Sequence, residues 1–245
     1  MTRAAVAVAQ ATAAGDPHPA AARDTDGAWP LRLAGVTKRW DKRQAPVLDG
    51  LSLTLNPGEL TWVGGENGVG KTTMLRVAAG LIRPDAGTVS VWGRSPRESH
   101  ARYQRLVSFL PAGDRGLYAR LSVRRQLEFS ARLAMLPRAG FSTTIERTIE
   151  RFELDELADR RVDRMSMGQR QRLRIAMTFL PRPEIVLLDE PLTSLDSRGV
   201  ALLRAAVSET LALDGSVLWC SPVGEHQEMR FDRRWVLDHG RLSPA

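Results

Sequence analysis

The sequence predicts an α/β fold, and three observations carry that prediction. A short apolar run, Glu59 to Val63, leads through glycines into helical spacing at Lys71 to Leu81. A second apolar run, Ile185 to Leu188, ends on two acids, Asp189 and Glu190. Between them, Leu121 to Ala158 is rich in Glu, Arg and Leu at helical periodicity. Strand, glycine turn and helix make the first half of a parallel unit, and short continuous apolar runs fit strands buried on both faces.

Residues 1–29 are alanine-rich with scattered Asp, Arg and Pro and lack the Leu or Phe density of a secretory leader, so a disordered tail is expected there. One domain, residues 30–245, should follow. Leu31 to Val36 and Leu51 to Leu55 alternate apolar and polar residues and predict strands, which makes the opening β-rich. After the Lys71 helix, Pro84 to Gly87 form a turn before a strand at Thr88 to Trp92, and another strand is expected at Leu106 to Leu110. The helical part, about residues 113–165, is interrupted by Pro137 and Gly140, with Ser142 as a cap. A helix over Met167 to Leu180, a helix over Ser197 to Leu213, a strand at Ser216 to Cys220 and a hairpin across Arg234 to Leu242 complete the pattern.

A chain of 245 residues with 43% hydrophobic and 26% charged residues can bury one substantial core. Its single cysteine, Cys220, excludes a disulfide framework and suits a reducing compartment, the cytosol. No run reaches the roughly 18 apolar residues that a spanning helix needs, so any action at a membrane requires another chain to cross it. The net charge of +7 would suit nucleic acid or an anionic surface, but the positive residues are spread along the chain. Only three of the 35 basic residues are lysines, Lys38, Lys42 and Lys71. A lysine kept against such a preference for arginine is a candidate for specific chemistry.

Gly65-Glu66-Asn67-Gly68-Val69-Gly70-Lys71-Thr72 matches the phosphate-loop pattern Gly-x4-Gly-Lys-Ser/Thr in full, between a predicted strand and a predicted helix. Glycines let consecutive backbone N–H groups converge on phosphate oxygens, and the helix N-terminus adds its positive end. Lys71 should reach the β- and γ-phosphates and the Thr72 hydroxyl should ligate magnesium, with Thr73 beside it. The bland alternative is a glycine-rich turn that happens to end in Lys-Thr. At the end of the second apolar run, Asp189 is the expected partner for the metal shell and Glu190 the general base for an attacking water, against the plainer reading of an N-cap or solvated turn.

Met165-Ser166-Met167-Gly168-Gln169 leads directly into a helix. With the phosphate loop upstream and the acid pair downstream, the chain resembles the ATPase subunits of ABC transporters, whose signature reads Leu-Ser-Gly-Gly-Gln. Met165 and Met167 depart from it, while Ser166, Gly168 and Gln169 match. The resemblance covers roughly residues 31–242 and implies a phosphate-loop NTPase core with an antiparallel β subdomain and a helical subdomain. It implies that Ser166, Gly168 and Gln169 cap the ATP of a second subunit, that Ser194-Leu195-Asp196 form the loop linking the two sites, and that Trp40 stacks on adenine.

Two family positions are changed. Ala112 stands where the family places a Gln, with Asp114 as the nearby polar residue. Ser221-Pro222 stands where the family places a His, and the nearest histidine, His226, lies four residues beyond Pro222. Losing a group that hydrogen-bonds the γ-phosphate costs on the order of a hundredfold in rate, so slow hydrolysis is expected. The resemblance further implies ATP and Mg2+ as ligands, transmembrane permease subunits and a second ATPase subunit as partners, a cytoplasmic place on the inner face of the membrane, and an exporter of drug, antibiotic or polymer class. A soluble ABC-type ATPase acting on nucleic acid or ribosomes is the alternative, as is a weakly hydrolysing regulatory subunit; no nucleic-acid partner is expected.

Overall fold

The computed structural model describes residues 29–41, 43–223 and 229–245. The expected tail, apart from Trp29, falls outside the described residues, as do Lys42 and His226. Among the described residues the chain forms nine strands and six α-helices in two sheets.

The small sheet has the order β2-β1-β4, all antiparallel, built from β1 (Leu31–Lys38), β2 (Leu48–Leu55) and β4 (Ala86–Ser90). The larger sheet has the order β5-β6-β7-β3-β8-β9. Its strands are β3 (Leu60–Gly64), β5 (Val107–Leu110), β6 (Ile185–Asp189), β7 (Ser216–Cys220), β8 (Arg233–Asp238) and β9 (Arg241–Pro244). All neighbours in it pair parallel except the terminal hairpin β8-β9.

Parallel strands buried on both faces need an apolar layer on each side, and the period of two in a strand supplies both from one run. Val186 and Leu188 of β6, Val217 and Trp219 of β7, and Leu60 and Trp62 of β3 face the layer built from the later helices. Ile185, Leu187, Leu218, Cys220 and Val63 face the opposite layer, against α1 (Lys71–Ala78) and the small sheet. The first layer takes in α3 (Val123–Leu133), α4 (Phe141–Arg151), α5 (Met167–Phe179) and α6 (Ser197–Ala212).

Several elements differ from the sequence expectation for local reasons. The first helix stops at Ala78 because Gly80 takes φ +69° and turns its N–H back to the Val77 carbonyl. Strand β4 ends at Ser90, two residues early, and Trp92 has φ +49°, which extended backbone does not allow. Helix α2 (His100–Leu106), capped by the Ser99 hydroxyl, was not anticipated, since only Tyr103 of its seven residues is buried and its apolar period is too weak to read. Ser142 lies inside α4 instead of capping it; the cap is Gly140, at φ +76°.

Candidate functional site

In a parallel sheet the loops at the carboxyl ends of the strands share one edge, where α/β proteins bind ligands. The register fixes which residues meet there. Asp189 lies beside Cys220 and Cys220 beside Val63, so β6, β7 and β3 leave the sheet at one level. Glu190, Ser221 and the glycine loop after Gly64 therefore emerge side by side, with the loop after Leu110, the register partner of Leu188, on the far side of β6.

The glycine loop is shaped by close packing from outside. A Cβ on Gly65, at φ +153°, would lie 2.5 Å from the Leu237 carbonyl oxygen, and one on Gly70, at φ +116°, would lie 2.9 Å from Val47 Cγ1. These two positions admit only glycine. The Gly70 contact also brings the β1-β2 connection, which carries Trp40, against the phosphate loop. Trp40 is 59% exposed, with the Lys38 ammonium 5.6 Å from its ring centre, and so presents a free aromatic surface. Glu66, Asn67 and Gly68 are exposed at the loop tip, while Gly65, Gly70 and Thr73 are buried.

Lys71 is buried, and its ammonium donates to the carbonyls of Gly65 (2.7 Å) and Glu66 (3.0 Å), which holds it inside the curve of the loop. Thr72 donates its hydroxyl to Asp189 Oδ2 at 2.6 Å, joining two segments 117 residues apart. Asp189 is 1% exposed. Burial pushes its carboxyl above the ordinary value, while hydrogen bonds from the Thr72 hydroxyl and the Ala112 backbone N–H and the charges of Lys71 and Arg76 pull in the opposite direction. A buried carboxylate beside a hydroxyl is a pair of hard oxygen donors, the chemistry that magnesium accepts alongside phosphate oxygens.

Glu190, half-buried, follows at φ +49°, with its N–H donating to the Cys220 carbonyl at 2.8 Å. A left-handed non-glycine residue costs of order 1 kcal/mol, and here it turns the chain sharply out of β6. Ser221 is buried and accepts a hydrogen bond from the Trp62 indole N–H at 2.8 Å. The position of the family histidine is thus taken up by a segment anchored to β3. Asp114, the polar residue nearest to Ala112, pairs with Arg170 of α5 at 3.1 Å.

The other predicted residues cluster at the start of α5 and α6. Ser166 caps α5 with its hydroxyl accepting from the Gln169 N–H (3.2 Å), while the Gln169 side chain accepts from the Ser166 N–H (3.0 Å). This reciprocal box holds an exposed serine in a fixed place. Gly168 lies so close to the loop after β6 that a Cβ would sit 2.9 Å from the Ser194 carbonyl oxygen. Asp196 caps α6, accepting from the Gly199 N–H at 2.7 Å.

Sequence reasoning missed Arg174 and Gln171. Both are buried on α5, and both hydrogen-bond to loops at this edge of the sheet. The one available signal was a charge set inside the apolar stretch Leu173-Arg174-Ile175-Ala176.

A family model described as ABC transporter matches residues 48–193. The chain is 31% identical over 214 residues to the ABC transporter ATP-binding protein NatA of Bacillus subtilis (strain 168), covering 86% of this chain and 87% of that protein. It is 36% identical to the daunorubicin resistance ATP-binding protein DrrA3 of Streptomyces coeruleorubidus, over 86% of this chain and 66% of that one. It is 33% identical to the Nod factor export ATP-binding protein I of Burkholderia pseudomallei (strain 1710b), over 86% and 69%. A solved ATP-binding subunit of an ABC transporter superposes with a TM-score of 0.79 at 24% identity, over 86% of this chain and 87% of that one. The cbiO1 protein of Clostridium perfringens superposes with a TM-score of 0.74 at 21% identity, over 88% and 87%. Both share the fold.

Proposed function

Because the chain belongs to the ABC transporter family of ATP-binding subunits, we propose that it binds ATP with Mg2+ at the edge just described and hydrolyses it to drive transport by separate membrane-spanning subunits. The observation that supports this most is the 2.6 Å hydrogen bond from Thr72 to Asp189, which brings the phosphate loop and the acidic strand end into one site.

The residues divide the work by chemistry. The loop amides and Lys71 hold the triphosphate, with Lys71 exchanging its bonds to the Gly65 and Glu66 carbonyls for phosphate oxygens. Trp40 offers its exposed face to the adenine. Thr72 and Asp189 would hold the magnesium ion, which supplies neutralisation of phosphate charge when bound. Glu190 takes a proton from the water whose oxygen attacks the γ-phosphorus; the bond to the β,γ-bridging oxygen breaks and ADP leaves. Ser166, Gly168 and Gln169 close over the nucleotide of a second subunit, so that ATP joins the two and hydrolysis releases them. Ala112 brings no hydrogen-bonding side chain to the γ-phosphate and Ser221, held under Trp62, stands where the family has a histidine, so turnover is slow.

Two of the relatives carry resistance or export in their names. They favour an exporter over an importer for this chain. None of the described helices is long and apolar enough to cross a membrane.

The test is phosphate release and nucleotide binding by the full chain and two variants. Glu190→Gln should keep ATP binding and lower hydrolysis at least a hundredfold. Lys71→Ala should lose binding by a similar factor. Equal hydrolysis by Glu190→Gln and the parent, or undiminished nucleotide affinity in Lys71→Ala, overturns the assignment.

A further inference from the structure

Arg174 is 4% exposed, midway along α5. Its Nε donates to the Arg115 carbonyl at 3.1 Å, its Nη1 to Gln171 Oε1 at 2.5 Å, and its Nη2 to the Pro111 carbonyl. Gln171, 6% exposed, donates onward from Nε2 to the Pro191 carbonyl at 3.0 Å. One guanidinium thus spans the loop after β5 twice and, through one glutamine, reaches the residue that follows Glu190. That same loop donates the Ala112 N–H to Asp189. The two acids at the end of β6 are therefore flanked by segments that both hang on Arg174.

The arrangement is costly. A guanidinium taken out of water must be repaid by hydrogen bonds, and an apolar side chain of similar volume is commonly as stable or more so. Burial pulls the Arg174 pKa down, and Asp114 is the charge that opposes this. All three hydrogen-bond acceptors given above are neutral oxygens, set in a fan that the planar fork of arginine matches and the point charge of lysine does not. Stability alone gives no reason for an arginine here; fixed geometry does.

We propose that Arg174 is a positioning residue for hydrolysis: it sets the loop 111–115 and, through Gln171, the turn at Glu190 and Pro191, so that Asp189 and Glu190 face the triphosphate in register. The proposal rests on Glu190 acting as the base. It also makes α5 the mechanical link between two places, because its first turn carries Ser166, Gly168 and Gln169 while its third holds the loops of this subunit's own site.

The experiment measures kcat and KM for ATP, nucleotide affinity and thermal stability for the full chain with Arg174→Met, Arg174→Lys and the double variant Arg174→Met with Gln171→Met. Arg174→Met should lower kcat about tenfold with KM and nucleotide affinity within about twofold, the mark of a displaced base beside an intact phosphate loop. Arg174→Lys should recover part of the loss, and the double variant should be no slower than Arg174→Met, because Gln171 holds the Pro191 turn in place only while the arginine fixes its own amide. A kcat within about twofold of the parent in a folded Arg174→Met protein overturns the proposal. If that variant does not fold, Arg174→Lys decides in the same way: reduced kcat at constant KM supports the role, and unchanged kcat overturns it. Glu190→Gln run alongside separates the two layers, since full activity there removes the base itself, whereas its loss beside an unaffected Arg174→Met removes only this role.

Discussion

Gly64, the last residue of β3, sits under the ring of Trp62. A Cβ built there would lie 2.0 Å from Trp62 Cη2, 2.4 Å from Cζ2 and 2.8 Å from Cζ3. Ordinary carbon contacts are about 3.5–4.0 Å, so Gly64→Ala must drive the indole more than about 1 Å away. The ring has little room to go: Trp62 is 2% exposed, with Phe231 6.5 Å away between ring centres and the Ser221 hydroxyl 2.8 Å from its N–H. Overpacking a filled core costs about 1–3 kcal/mol, and breaking the indole hydrogen bond adds about 1 kcal/mol. The sum, about 3 kcal/mol, corresponds to a fall in Tm of roughly 10 °C in a chain of this size. Urea and thermal unfolding of the purified chain measure it, with Trp62→Leu as the control background, where adding Gly64→Ala should cost less than about 1 kcal/mol because the obstructing ring is gone. A Gly64→Ala protein within about 0.5 kcal/mol of the parent, or one that suffers equally in the Trp62→Leu background, refutes the packing argument.

Asp189→Asn tests the electrostatics of the site. Burial raises the Asp189 pKa above its ordinary value of 3.8, so the folded protein holds that proton more tightly than the unfolded chain and loses stability as pH rises from the ordinary value through the raised one. The Asn variant should therefore match the parent near pH 3–4 and become the more stable of the two toward neutrality; a difference in unfolding midpoint that is flat with pH contradicts this. Away from the site, Glu59 is desolvated, yet hydrogen bonds from Arg233, Thr61 and Asn56 bring its pKa below the ordinary value. Arg233→Leu should cost about 3 kcal/mol by leaving that buried carboxylate without its charged partner, with a penalty that shrinks as acid protonates Glu59; denaturant titrations at neutral and acid pH check both points.

The candidate site was legible where the proposed chemistry calls for a residue type in a fixed order along the chain. Gly65 to Thr72 and the Asp189-Glu190 pair could be read because backbone amides, an ammonium and carboxylates are required in sequence, and the structure brings Thr72 and Asp189 together. Strands β6 and β7 were equally plain, since residues buried on both faces leave an unbroken apolar run. What stayed hidden depends on contacts between distant segments. Arg174 gains its partners only when α5 packs against the loop after β5. Trp62 reaches Ser221 across 159 positions, and nothing local to either residue announces it. Helix α2 was missed because it buries one side chain and gives no period to detect.

The larger sheet ends on both sides in strands of four residues, β5 and β9, and the last residue of β9 is Pro244, which has no N–H to offer. Neither border makes a long template on which another chain could add itself. For a subunit proposed to join a second ATPase subunit and release it at each turnover, this matters: strand-to-strand adhesion would be indifferent to nucleotide and hard to undo. With its margins blunted, the sheet leaves the proposed meeting of subunits to the rim where the loops gather.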